Sequence, residues 1–257
     1  MAFRSKHYGW VPDLPDHRDH LYTAPLGAPV ALPKNVDLRP HCPKTVYDQG
    51  QLGSCTANAI AGAYEFDLIK QKKTDFMPSR LFIYYNERAI EGTINEDSGA
   101  AIRDGIKSVH KQGVCKESSW PYSDADPGPF QKKPPDTAYA EAHDQRSLSY
   151  ARIPRSLRSM KTRLASGFPF VFGFTVYESF ESQGVASTGV VPMPAANEEI
   201  LGGHAVLAVG YDEVSQRFIV RNSWGPGWGD KGYFTMPYAY LLDENLSDDF
   251  WVIRSVE

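Results

Sequence analysis

This chain of 257 residues has no long apolar run. Nothing in it approaches the roughly 18 uninterrupted apolar residues of a membrane-spanning helix, so no membrane span is expected. Charge of one sign is also missing: 27 basic residues stand against 31 acidic ones, a formal net charge of −4. That balance gives no reason to expect nucleic acid or an anionic membrane as a partner. The densest basic cluster, Lys70 to Lys73, reads as the solvated end of a helix. Cysteine is scarce, with three residues, Cys42, Cys55 and Cys115. An odd number excludes a fully paired disulfide framework. Cys42 and Cys115 could be bridged or could both be inert thiols, because the test is their separation in space. The N-terminus, Met1 to His7 running into Tyr8-Gly9-Trp10-Val11-Pro12-Asp13, lacks the apolar stretch of a secretory signal. A cytoplasmic protein, or one exported by a non-classical route, is the expectation.

Proline and glycine punctuate the first 31 residues. Pro12, Pro15, Pro25 and Pro29, with Gly9 and Gly27, leave no room for a long helix, so residues 1–31 read as an extended arm. From Leu32 the character changes, and Asn35 to Pro40 reads as a short strand entering a folded body. A helix is expected from Ser54-Cys55, with Ala59, Ala63, Phe66 and Ile69 as its buried face. Further helices are expected from Ser79, from about Gly99 to a stop at Gly113, and over Ser156 to Ser166. Between the last two, Tyr122 to Pro135 reads as a loop or lobe crossing. Apolar or alternating runs at Phe170–Thr175, His204–Tyr211, Arg217–Asn222 and Gly232–Met236 read as strands. Helices first and strands later predict an α+β protein of two lobes, with a helical lobe at about 45–135, a β-rich lobe at about 136–257 and a cleft between them.

The chemistry concentrates in three segments. The first is Gln49-Gly50-Gln51-Leu52-Gly53-Ser54-Cys55, the second Gly202-Gly203-His204-Ala205-Val206, the third Arg221-Asn222-Ser223-Trp224-Gly225. A thiol needs help to become a nucleophilic thiolate, and a helix N-terminus with an adjacent imidazole supplies it. Cys55 has the first in prospect, and His204 would supply the second, forming an ion pair and then protonating the leaving amine. Asn222 would fix the tautomer and rotation of His204, and Trp224 would cover that bond. The Gln49 side chain and the Cys55 N–H would make an oxyanion hole. Each residue has an ordinary reading alone: a buried thiol, a core histidine, a turn asparagine, a loop glutamine. Four such contexts in this order point to one nucleophilic site.

These segments resemble the papain and cathepsin family of cysteine peptidases. Gln49 to Cys55 reproduces its Gln-Gly-x-x-Gly-Ser-Cys segment, and His204-Ala205-Val206 with Gly210-Tyr211 its histidine strand. Asn222-Ser223-Trp224-Gly225, Trp228-Gly229 and Gly232-Tyr233 match its asparagine segment. Val36-Asp37-Leu38-Arg39 and Trp120-Pro121-Tyr122 add to the likeness, which spans about residues 32–257. The resemblance implies a papain-like fold, with a helical left lobe, an antiparallel barrel-like right lobe and the active-site groove between them. It implies cleavage of protein or peptide substrates through an acyl-enzyme, with no cofactor. It further implies Gly99 as a backbone docking point for extended substrate. The pocket for the residue two before the scissile bond would lie near Gly173 and Ala205, with a floor from the C-terminal region.

Departures are visible too. Leu52 replaces a family cysteine, Thr56 replaces the tryptophan after the nucleophile, and Ser98-Gly99 replaces a Gly-Gly pair. The long helical prodomain of family zymogens has no counterpart, which leaves residues 1–31 as a possible short pro-segment. The expectation is that Tyr8-Gly9-Trp10-Val11-Pro12 lies in or beside the groove and limits access. His17 and His20, flanked by Asp residues, are too few and too broken a set for a metal site. The reading is therefore a monomeric papain-like endopeptidase. The alternatives are a catalytically silent binding protein of the same fold and an aminopeptidase whose groove is blocked at one end.

Overall fold

The computed structural model describes residues 8–22, 31–125, 127–145 and 148–255. After strand β1 (Asn35–Asp37) the chain enters helix α1 (Cys55–Lys70), followed by α2 (Arg80–Glu91) and α3 (Ile102–Gln112). Ser79 caps α2 by accepting the Phe82 N–H at 3.2 Å, and Gly92 ends it in the left-handed region. Gly113 ends α3 as expected. A short α4 (Asp136–His143) and β2 (Leu148–Arg152) follow, then α5 (Leu157–Ala165), capped by Ser156. The rest is β3 (Phe170–Tyr177), α6 (Gln183–Thr188), β4 (Ile200–Asp212), β5 (Arg217–Arg221), β6 (Tyr233–Pro237), α7 (Tyr238–Leu242) and β7 (Ser247–Ser255).

The stripe expected on α1 is too modest. Its residues from Cys55 to Leu68 are all buried, not one face alone. The helix lies between α2 and α3 on one side and β4 and β7 on the other. Small residues, Ala57, Ala59, Ala61, Gly62 and Ala63, let those neighbours approach; Gly62 sits 3.6 Å, measured from an ideal Cβ, from the Leu207 side chain. The helix that presents the thiol is therefore the axis of the molecule, and it is held from all sides.

The strands form one antiparallel sheet in the order β2-β7-β3-β4-β5-β6, with β1 also on β4. The expected barrel-like closure does not occur: the sheet is open. Each edge is covered instead. Backbone of His20 and Tyr22 bonds to Arg152 on β2, and Gly189 and Val191 bond to Thr235 on β6. Short covering segments satisfy edge N–H and C=O groups without closure. Strand β4 runs through the interior, where Phe174 faces His204 across the β3–β4 pair. The three thiols are buried and free, so Cys42 and Cys115 are not bridged.

Candidate active site

Cys55 is the first residue of α1, where N–H groups of the first turn point outward without helical partners. Its loop is held rigidly. Tyr122 Oη lies 2.6 Å from Ser54 Oγ and donates to the Gln49 carbonyl at 2.8 Å. Asp97 accepts the Gly53 N–H at 3.0 Å. Gln49 is fully buried. Its Oε1 accepts from Ser223 Oγ at 2.7 Å and its Nε2 donates to the Leu52 carbonyl at 2.9 Å, which leaves a second amide hydrogen. Ser223 is a positioning residue that sequence reasoning left without a role, although it stands inside the quoted Asn222-Ser223-Trp224-Gly225 segment.

His204 comes from the middle of β4, and Asn222 is the residue just after β5. His204 Nε2 is 2.8 Å from Asn222 Oδ1. That bond leaves Nδ1 as the free nitrogen, and it makes no hydrogen bond among the described residues. Trp224 stacks on the imidazole with ring centroids 5.0 Å apart at 29°. Phe174 meets the same ring edge-on at 5.7 Å. Asn222 Oδ1 also accepts the Ser223 N–H at 2.9 Å, so its rotation is fixed from two sides. The fold thus brings Cys55, His204, Asn222 and Gln49 together from three segments.

In this covered state burial works against the expected ion pair. Burial pushes the Cys55 thiol up to about 12, against the backbone N–H groups of Ala205, Gly9 and Thr56 that lower it. Burial pushes the His204 imidazole down to about 4, against the raising effect of Asn222. Burial acts on both groups in the same sense, toward the neutral thiol and the neutral imidazole. What covers them is the chain's own N-terminal segment.

Residues Tyr8 to Val11 run across the nucleophile. The Ala100 N–H donates to the Gly9 carbonyl at 2.8 Å, and the Val11 N–H donates to the Ala100 carbonyl at 3.0 Å. On the other wall the Trp10 N–H donates to the Gly203 carbonyl at 2.9 Å. Tyr8 lies edge-on to His204 at 6.0 Å and hydrogen-bonds Glu181.

The expected pocket residues meet this segment in different ways. Gly99 has φ +71°, and a Cβ there would collide with Gly9. Its N–H is occupied by Tyr84 Oη at 3.2 Å, so the docking hydrogen bonds fall one residue on, at Ala100. Gly173 lies under the Trp10 indole, where a Cβ would enter the ring. Ala205 pairs with Gly173 in register and turns its N–H to the Cys55 sulfur at 3.4 Å. Asp249, on β7, accepts the Trp10 indole Nε1–H at 3.0 Å and lies in the C-terminal region expected to floor this pocket, which the sequence did not narrow to one residue. The alternating pattern of β7 is too broken by Asp248-Asp249 to reveal the strand, let alone its role.

The family model of papain family cysteine proteases matches residues 32–241. An uncharacterized peptidase C1-like protein of Acanthamoeba polyphaga mimivirus is 48% identical over 98% of this chain and 88% of its own length. Cathepsin L of Sarcophaga peregrina is 31% identical over 81% of this chain, which spans 60% of that relative. Xylellain, a cysteine protease from Xylella fastidiosa, superposes with a TM-score of 0.93 at 49% identity, covering 99% of this chain and 98% of its own. Digestive procathepsin L 3 of Tenebrio molitor shares the fold at a TM-score of 0.70 and 19% identity, over 98% of this chain and 76% of that one. With the nucleophile segment, the histidine strand and the asparagine segment assembled in one groove, this chain belongs to the papain family of cysteine proteases and is a papain-like cysteine peptidase.

Proposed function

We propose that the chain is an endopeptidase acting through Cys55, His204, Asn222 and Gln49, and that residues 8–11 hold it latent. The observation that carries this reading is the segment itself, hydrogen-bonded to both walls of the groove through Ala100 and Gly203 over a fully buried Cys55. The segment runs from Tyr8 at Glu181, past the nucleophile, to Trp10 and Val11 at Gly203 and Ala100, and an extended chain lying across the nucleophile suits cleavage within a chain.

Displacing residues 8–11 readmits water to Cys55 and His204. The thiol proton then passes to His204 Nδ1, the thiolate is stabilised by the N-terminus of α1, and Nε2–H donates to Asn222. The thiolate attacks a substrate carbonyl carbon, and its oxygen becomes an oxyanion received by the second Gln49 amide hydrogen and the Cys55 N–H. Collapse breaks the C–N bond as His204 Nδ1–H protonates the leaving nitrogen. Water, deprotonated by His204, hydrolyses the thioester and restores the thiol.

The test is hydrolysis of a blocked fluorogenic dipeptide amide, in reductant, by the full chain and its Gly9→Ala variant, each beside Cys55→Ala. Hydrolysis by Gly9→Ala that disappears with Cys55→Ala supports the proposal. Turnover that survives Cys55→Ala, or a folded Gly9→Ala chain with no turnover, overturns it.

A further inference from the structure

We propose that Arg80, at the start of α2 and outside the three segments that carry the chemistry, is a positioning residue for the oxyanion hole, fixing the backbone of Gln49 and so aiming its second amide hydrogen. The inference rests on the reading above, in which Gln49 receives the oxyanion.

Gln49 is held at both of its peptide groups, and Arg80 acts on each. Arg80 Nη1 donates to the Asp48 carbonyl at 3.1 Å. The N–H of that same peptide, on Gln49, donates to the Ser223 carbonyl at 2.9 Å. The rigid plane entering Gln49 is thus pinned at its oxygen from α2 and at its nitrogen from the asparagine segment. The plane leaving Gln49 is held by Tyr122 Oη, which donates to the Gln49 carbonyl at 2.8 Å. The Arg80 guanidinium carbon lies 4.0 Å from the centroid of that tyrosine ring, so Arg80 also backs the ring that carries the donor. With both planes fixed, only the side-chain torsions of Gln49 remain, and Ser223 Oγ and the Leu52 carbonyl set those.

Arg80 is itself buried and tied down. Glu117 Oε1 accepts from Arg80 Nη2 at 2.6 Å and from the Tyr122 N–H at 3.2 Å. Glu117 Oε2 accepts the Arg80 backbone N–H at 3.1 Å, a first-turn N–H that the helix leaves without a partner. One carboxylate therefore joins the helix start, the guanidinium and the tyrosine. Arg80 Nη1 also donates to Asn58 Oδ1 at 3.3 Å, and Asn58 Nδ2 donates to the Ser54 carbonyl at 2.8 Å. The Ser54 carbonyl and the Cys55 N–H belong to one peptide group, so this branch reaches the other oxyanion donor. Several acceptors in one plane, with a ring against its face, ask for a flat fork of donors. A lysine ammonium supplies a charge without the fork or the face.

The test is Arg80→Lys, which keeps a positive charge for Glu117. Hydrogen exchange in the full chain reads the loop without calling on activity, and exchange of the Gln49 backbone N–H is expected to be about tenfold faster in the variant. Hydrolysis of a blocked dipeptide amide is then measured in the Gly9→Ala chain with and without Arg80→Lys. The expected fall in kcat is about tenfold with little change in KM. Alkylation of Cys55 by iodoacetamide is a displacement at saturated carbon that forms no oxyanion, so its rate is expected to hold within about twofold. On a Gln49→Ala background the tenfold fall in kcat is expected to shrink to about twofold, because both changes act through one donor. Tyr122→Phe cuts the same hold at the Gln49 carbonyl with Arg80 in place, and the same split between hydrolysis and alkylation is expected. Unchanged exchange at Gln49 overturns the proposal. So does alkylation that falls in step with hydrolysis, or a fall in kcat undiminished by Gln49→Ala. Faster exchange in a chain without any Cys55-dependent hydrolysis leaves the hold of Arg80 on the loop standing and refutes the peptidase reading beneath it.

Discussion

At the scale of single residues, the site was legible to the extent that chemistry demands particular side chains. Cys55, His204, Asn222 and Gln49 are found by their local contexts, because each job admits few residue types. The residues that position them are harder to see. Ser223 holds Gln49 through one hydroxyl, a role many sequences could fill from elsewhere. Gln49→Ala is expected to lower kcat by about 100- to 1,000-fold with little change in KM. Ser223→Ala leaves the donor present but unaimed, and a smaller fall in kcat, about tenfold, is expected in the same assay. Thr56 shows a second hidden role. It donates to Glu87 at 2.6 Å, and burial pushes the Glu87 carboxyl well above its ordinary range, against the lowering effect of that bond. Thr56→Val strips one buried partner, and denaturant unfolding should show a loss of about 1–3 kcal/mol.

Among elements, the helices with a clear start and stop were legible. Ser79, Gly113 and the Ser156–Ser166 pair mark ends that the structure places within a residue or two. Strand β7 and helix α4 were not legible: the bulge at Asp249 breaks the alternation of the first, and the second is a short run of alanines and polar residues. The barrel expectation failed because sheet closure is a property of edges, and the covering segments at His20–Tyr22 and Gly189–Val191 carry no sequence mark. The N-terminal segment was readable as extended from its prolines, and its place in or beside the groove was expected; the backbone groups it bonds to, at Ala100 and Gly203, were not. Its fit depends on glycine facing glycine. A Cβ on Gly9 would overlap the Gly53 carbonyl, which is backbone and cannot swing aside. Gly9→Ala is therefore expected to lift the segment off the groove and to raise hydrolysis of a blocked dipeptide amide well above that of the parent chain. The fold of the remainder should be unchanged by circular dichroism.

Across the whole molecule, the segment is fastened by charge as well as by shape. Asp13 accepts the Arg103 N–H at 3.2 Å and the Trp251 indole N–H at 2.8 Å, with Arg103, Arg152 and Asp249 around it. Burial first, and then Asp249, push the Asp13 carboxyl up to about 7. Asp249 is raised as well, again chiefly by burial. An undocked Asp13 would titrate near 3.8, so docking takes up a proton between that value and about 7. Its contribution is full below the lower value and is lost as pH rises through the upper one, by at most about tenfold per pH unit for one proton. The Cys55–His204 pair holds one proton both as thiol with imidazole and as thiolate with imidazolium, so its rearrangement adds no slope near neutrality. The full chain should accordingly be more latent at pH ~5 than at pH ~8, and Asp13→Asn should flatten that dependence. A chain as hydrolytically silent at the higher pH as at the lower one would count against this linkage.

The account's central claim is that a competent Cys55 is shielded by residues 8–11. The most direct measurement is the rate at which iodoacetamide alkylates Cys55, followed by peptide mass mapping to separate it from Cys42 and Cys115, in the full chain and in Gly9→Ala at neutral pH. The account predicts slow alkylation of Cys55 in the parent chain, where the thiol is buried and protonated, and a rate at least tenfold faster in Gly9→Ala. Equal rates in the two chains would contradict it.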